Sequence, residues 1–236
     1  MKVVLNMDTK HSEFRSKLFK LVVPITMQQL MMALVSITDA VMLGMLSQDA
    51  FSAVSLAGQI QFVFGLFLFA ITAGVSIFAA QYWGINEKKP VEKFLGIGLK
   101  WSIIISLPFT LCAMIFPKAL MSIFASDQIL IDYGADYLQT VALSYFFLSI
   151  SQIYLCIMKN CGMAMKSSMI SCVSVIVNAI LNAILIFGLF GMPKMGIAGA
   201  ALATVISKII ELVWTMAEML RKDRIKIRLK YLIKSE

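Results

Sequence analysis

Charge is what this 236-residue chain has least of: Asp, Glu, Lys and Arg make up 14% of it, where a soluble domain carries about 25%. The rest cannot cover the apolar surface of a chain that is 60% hydrophobic, with a mean hydropathy of +0.86, so lipid must be its solvent. Histidine is nearly missing. His11 stands alone in a polar leader, which excludes His-based metal sites and triads. The cysteines Cys112, Cys156, Cys161 and Cys172 show no CxxC spacing and fall in or just past apolar runs. They read as small buried hydrophobes, not as disulfides or metal ligands. Paired catalytic carboxylates, Ser/His or Cys/His constellations and phosphate loops are also missing, so neither an enzyme nor a cofactor is expected. A net charge of +8 could point to nucleic acid, but the basic residues cluster between apolar runs rather than along one face, so no such partner is expected.

What is there is a set of long apolar runs, at about 21–46, 52–82, 95–116, 132–157, 167–190 and 196–220. Each is long enough to span a bilayer, and satisfying the backbone in lipid makes each a helix. Gly84 to Pro90, Pro117, Gly162 and Gly191-Met192-Pro193 punctuate them. The expected protein is an all-α integral membrane bundle of six helices. The basic residues assign its sides. A leader (1–20) holds five Lys/Arg, the second loop four, the fourth loop two and a tail (221–236) seven. The opposite ends hold only Lys118 and Lys194. Both termini are therefore expected in the cytoplasm, with the bundle at 21–220 between them. The basic tail reads as a topology anchor that could also attract anionic lipid headgroups.

Asp39 lies 19 residues beyond Lys20, or ~28 Å up a helix at ~1.5 Å per residue. A carboxylate at membrane depth costs on the order of 2.5–3.5 kcal/mol to insert, so it is a functional candidate by default. Gln28, Met32, Ser36 and Asp39 share one face of the first span. Ser167, Ser171, Ser174, Asn178 and Asn182 share one face of the fifth. Such stripes either glue helices together or line a wet cavity. Asn182 lies ~24 Å above the cytoplasmic end of its span, close to the depth of Asp39. Tyr137 and Thr204 fall at similar depth, so one network of polar groups is expected. If its pocket alternates between wet and dry, the proton occupancy of Asp39 alternates with it, which is the least machinery needed to couple a proton to a conformational change. Lys208 and Glu211 form an i,i+3 pair on the sixth span, with Glu218 further along the same face. They read either as a neutralised pair pointing to the cytoplasmic side or as a gate. Pro24 and Pro108 are candidate kinks.

Several segments carry a resemblance. The first span reads Pro24, Gln28-Gln29, then Asp39-Ala40-Val41-Met42-Leu43-Gly44. The second has Gly74-Val75-Ser76 and Ala80-Gln81-Tyr82-Trp83-Gly84. The fifth has Asn178-Ala179-Ile180-Leu181-Asn182 and Ile186-Phe187-Gly188, and the sixth opens on Gly196-Ile197-Ala198-Gly199-Ala200-Ala201-Leu202-Ala203-Thr204. In this order and spacing, over about residues 15–230, they resemble the N-terminal half of a multidrug and toxic compound extrusion (MATE) transporter. The resemblance implies one six-helix lobe of a two-lobe protein in the plasma membrane, the inner membrane of a prokaryote. It implies a cation-coupled antiporter that exports organic, often cationic and amphipathic, compounds. The family's outer-half cation site maps onto Asp39, Asn178, Asn182 and Thr204, with Tyr137 nearby. Pro24, Gln28, Met32 and Ser36 become candidates for cavity lining or gating.

Two departures matter. Many members carry Asp where this chain has Asn182. One fewer carboxylate weakens a Na+ site at Asp39, because hard cations favour charged oxygens, and H+ is the favoured coupling ion. The family also has a second lobe, and this chain ends at Glu236, within what resembles the linker. The expectation is a fragment that needs a C-lobe, or a second copy of itself, to complete a cleft. The alternatives are a lipid-linked oligosaccharide flippase of the related superfamily and a half-lobe that transports nothing.

Overall fold

The computed structural model describes residues 2–221 and Ile225, with side chains described for residues 15, 16, 18–221 and 225. The basic tail expected at 221–236 lies outside the described residues except for Arg221 and Ile225. The elements are α1 (Lys2–Leu46), α2 (Gln48–Gly84), α3 (Lys88–Ile115), a short α4 (Pro117–Met121), α5 (Gln128–Met158), a π turn (Lys159–Met163), α6 (Ala164–Phe187), a 3-10 turn (Leu189–Gly191) and α7 (Gly196–Met219). The expected leader is not a separate element, because α1 runs without interruption from Lys2 through Pro24.

The breaks follow local chemistry. Ser47 alone separates α1 from α2, and its hydroxyl accepts from the Ala50 amide at 3.0 Å. Asp127 caps α5 in the same way, through the Ile129 amide at 2.9 Å. Gln128–Phe187 is a nearly continuous helical stretch of 60 residues. It is not one helix. Gly162 turns to φ 77°, a left-handed conformation that glycine adopts without penalty. Ser167 then donates to the Leu155 carbonyl at 3.0 Å, across a separation that would be ~18 Å along a continuous helix. The stretch is therefore the hairpin of α5 and α6. With α1, α2, α3 and α7 it makes a bundle of six long helices.

α5 stands at the centre, packed on α2, α3 and α7, and α6 packs on α7 and α1. One apolar cluster joins Phe64 of α2, Leu138 and Tyr145 of α5 and Ala201 of α7. A second joins Leu95 of α3, Ile153 and Ile157 of α5 and Ile170 of α6. α1 is the outlier. Only 6% of its span is buried, and Met27, Leu30, Leu34, Ile37 and Val41 are exposed. In lipid that exposure carries little penalty, so α1 is not driven into the bundle by apolar burial as a soluble helix would be.

A close contact between α6 and α7 decides where the polar stripes meet. A Cβ on Gly199 would stand 2.7 Å from the Leu185 carbonyl oxygen, so α6 and α7 approach backbone to backbone there. Substituting Gly199→Ala is expected to lower stability by about 1–3 kcal/mol, the range for overpacking. Gly74→Ala, where the added Cβ meets nothing within 4 Å, is expected to leave it unchanged or raise it. Thermal unfolding of both variants in detergent checks the contrast.

Candidate functional site

The polar groups expected at one depth meet around Asp39, which is half-buried on the α1 face turned to α6. Asn182, 3% exposed on α6, donates its amide to Asp39 Oδ1 at 2.7 Å. One turn below it, Asn178 has two amide orientations related by exchange of O and N. In the first it donates to Thr204 Oγ1 at 3.4 Å, and its Oδ1 accepts from Asn182 at 3.5 Å. In the second its nitrogen donates to Asp39 Oδ2 at 3.3 Å, and its oxygen accepts from the Thr204 amide at 3.2 Å. The second satisfies both ends of the amide, and the hydrogen-bond network favours it. Both carboxylate oxygens then accept from amide N–H groups on α6. The Thr204 hydroxyl donates back to the Ala200 carbonyl at 3.0 Å. The Asn182 Oδ1 has no protein partner despite its burial.

A cavity of about 250 Å³ opens beside this network. Asp39, Asn178, Thr204 and Tyr137 line it, together with Met32 and Ser36 of the α1 stripe. Its volume has room for several water molecules. Pro24 and Gln28 are buried but do not border it. They lie lower on α1, where the Gln28 amide is 4.0 Å from the Met32 sulfur and its oxygen lacks a protein partner.

Two lining residues stand out against the sequence reading. Gln61 reaches the cavity from α2. Its only sequence signal was to be one of two amides, Gln59 and Gln61, within a long apolar run. Lys208 also borders the cavity, with its ammonium 2.7 Å from Glu211 Oε2. The pair is 16% and 1% exposed, so it is buried in the helix bundle rather than turned to the cytoplasmic surface. Glu218, further along, meets Lys166 at 3.5 Å and Arg221 at 3.2 Å.

The chain is similar to known proteins. The family model MatE matches residues 24–184. A probable multidrug resistance protein NorM of Haemophilus ducreyi is 27% identical over 199 residues, which is 84% of this chain and 42% of that protein. A probable multidrug resistance protein NorM of Thermotoga maritima is 27% identical over 203 residues, 84% of this chain and 43% of that protein. A MOP superfamily transporter from Pyrococcus furiosus superimposes with a TM-score of 0.81 at 18% identity, over 91% of this chain and 47% of that one. That last likeness speaks to the fold. The chain spans less than half the length of these relatives. With most of its length matched by the family model and its six long helices arranged as one lobe, this multi-pass plasma-membrane protein belongs to the MatE family of transporters.

Proposed function

We propose that the chain forms the N-terminal lobe of a proton-coupled multidrug efflux antiporter, with Asp39 carrying the coupling proton. The observation behind the choice of ion is the polarity of the groups facing Asp39. They are amide N–H donors, Asn182 at 2.7 Å and Asn178 at 3.3 Å. Donors of this kind stabilise a bare carboxylate, and the cavity supplies the water through which a proton can arrive. A sodium ion would need oxygens in those positions, and the lone carboxylate gives the site less charge than a hard cation favours. The cavity's single basic residue, Lys208, is engaged by Glu211, which does not suit the pyrophosphate of a lipid-linked sugar.

The exported compounds are proposed to be organic, amphipathic and often cationic, in keeping with the multidrug resistance names of the relatives. Alternating access requires two bundles that rock against each other. The exposed face of α1 and the open cavity leave the second wall of the cleft to a C-terminal lobe. Protonation of Asp39 would remove the charge that its two amide partners stabilise. That loosens α1 from α6 and ties proton occupancy to the position of α1.

Joined to a C-terminal lobe and reconstituted in liposomes, the chain is expected to export ethidium in a way that a protonophore collapses and sodium-free buffer does not. Asp39→Asn is expected to abolish that export, and unchanged export would remove Asp39 from coupling. The 236-residue chain without a second lobe is expected to export nothing; robust export by it would favour a homodimer. Asn182→Asp restores a second carboxylate and is expected to make thermal stability rise with sodium concentration. Sodium-dependent stabilisation of the natural chain at matched ionic strength would instead favour sodium as the coupling ion.

A further inference from the structure

The Asp39 cavity has a floor, and what lies beneath it is polar. Three bonds cross from α6 to α7: Asn178 to Thr204, Ser174 to the Ser207 carbonyl at 2.9 Å, and Lys166 to Glu218. The steps of four and eight residues down α6 are matched by steps of three and eleven along antiparallel α7, so the register holds to within about one turn. It places Ser171 opposite Glu211 and Ser168 opposite Thr215. All four are at most 3% exposed. Ser168 Oγ, Ser171 Oγ, Thr215 Oγ1 and Glu211 Oε1 have no hydrogen-bond partner in the protein. The outer end of the same seam is built differently, from Gly199, Ala200 and Ala203, which suffice for close packing. Adhesion between α6 and α7 therefore does not explain the inner half. Buried polar atoms without protein partners are the sites that bound water satisfies.

We propose that this inner α6–α7 seam is a hydrated proton path from the Asp39 cavity to the membrane face that carries Lys166, with Glu211 as its relay carboxylate. The inference rests on the proton-coupled reading above and adds the route. Lys208 joins the two ends: it borders the cavity and holds Glu211. The charged groups around Glu211 are Lys208 on α7 and, from the π turn, Lys159, which interacts with it. The next on α6 is Lys166, paired with Glu218 where half-exposed Lys166 and exposed Arg221 meet solvent. In the transfer, an O–H bond breaks at Asp39 and an O–H bond forms at Glu211, through cavity water. Lys208 keeps its charge throughout. Its ion pair is lost when Glu211 becomes neutral, which frees the ammonium to favour ionised Asp39. The proton then leaves Glu211 through waters held by Ser171, Ser168 and Thr215.

The test uses the full chain in nanodiscs, with the four natural cysteines replaced by alanine and silver ion as a water-sized thiol probe. Ser171→Cys and Thr215→Cys are expected to react readily. Val213→Cys, on α7 at the same depth but 61% exposed to lipid, is expected to react slowly. If Ser171→Cys, which is nearly isosteric and should fold, reacts no faster than Val213→Cys, the seam is dry and the path is overturned. Infrared difference spectra on acidification are expected to show a protonated-carboxyl band that Glu211→Gln removes and Glu211→Asp keeps in shifted form. A spectrum that Glu211→Gln leaves unchanged removes Glu211 as the relay. Neither readout depends on drug export. Silver access without Asp39-dependent export would leave the path standing and remove the coupling reading, and the converse result would do the reverse.

Discussion

The hydrogen bond from Asn182 to Asp39 is the contact on which the site depends. α1 is exposed along most of its described span, and aliphatic side chains are already solvated in lipid. What they cannot supply is a donor for a carboxylate. α6 supplies two, a turn apart, so a charge that is costly in the membrane selects the partner of α1. The polar stripe of α6 is in turn held against α7 by an approach so close that Gly199 has no room for a side chain. Charge compensation thus positions α1, and backbone packing positions the residues that compensate it.

The same pair of helices does two jobs along its length. Towards the outer side, Gly199, Ala200 and Ala203 let α7 press on α6 and bring Thr204 to Asn178. Towards the side of Lys166, serines, threonine and carboxylates replace the small residues. A seam that packs tightly at one end and carries unpartnered polar groups at the other is asymmetric along its length. Lys208 sits where the two halves meet, with Glu211 as its counter-ion rather than Asp39. That choice leaves Asp39 to its amide donors.

The breaks, the stripes and the candidate carboxylate were legible because each is written in local pattern. Gly162 and Pro117 fall where the helices end, and Gly162 separates α5 from α6 although the helical stretch is almost continuous through it. Gln28 shows where local pattern stops. It shares the α1 face with Asp39, yet it lies outside the cavity that Met32 and Ser36 border. Gln61 shows the reverse, since nothing in α2 distinguishes it from Gln59 until the tertiary fold brings it to the cavity. Lys208 and Glu211 were visible as a pair, but their placement under the Asp39 cavity was not.

By itself the sequence determined the solvent, the number of spans, their sidedness as an expectation, and one acidic group at membrane depth as a functional candidate. Those follow from hydropathy summed along a helix and from a 3.6-residue repeat, both one-dimensional quantities. Only the tertiary structure decided which polar groups touch, which of them line the cavity and which are left without protein partners. Those depend on the rotation and register of each helix against its neighbours, set here by a glycine-thin contact between α6 and α7 and by the need of one carboxylate for a donor.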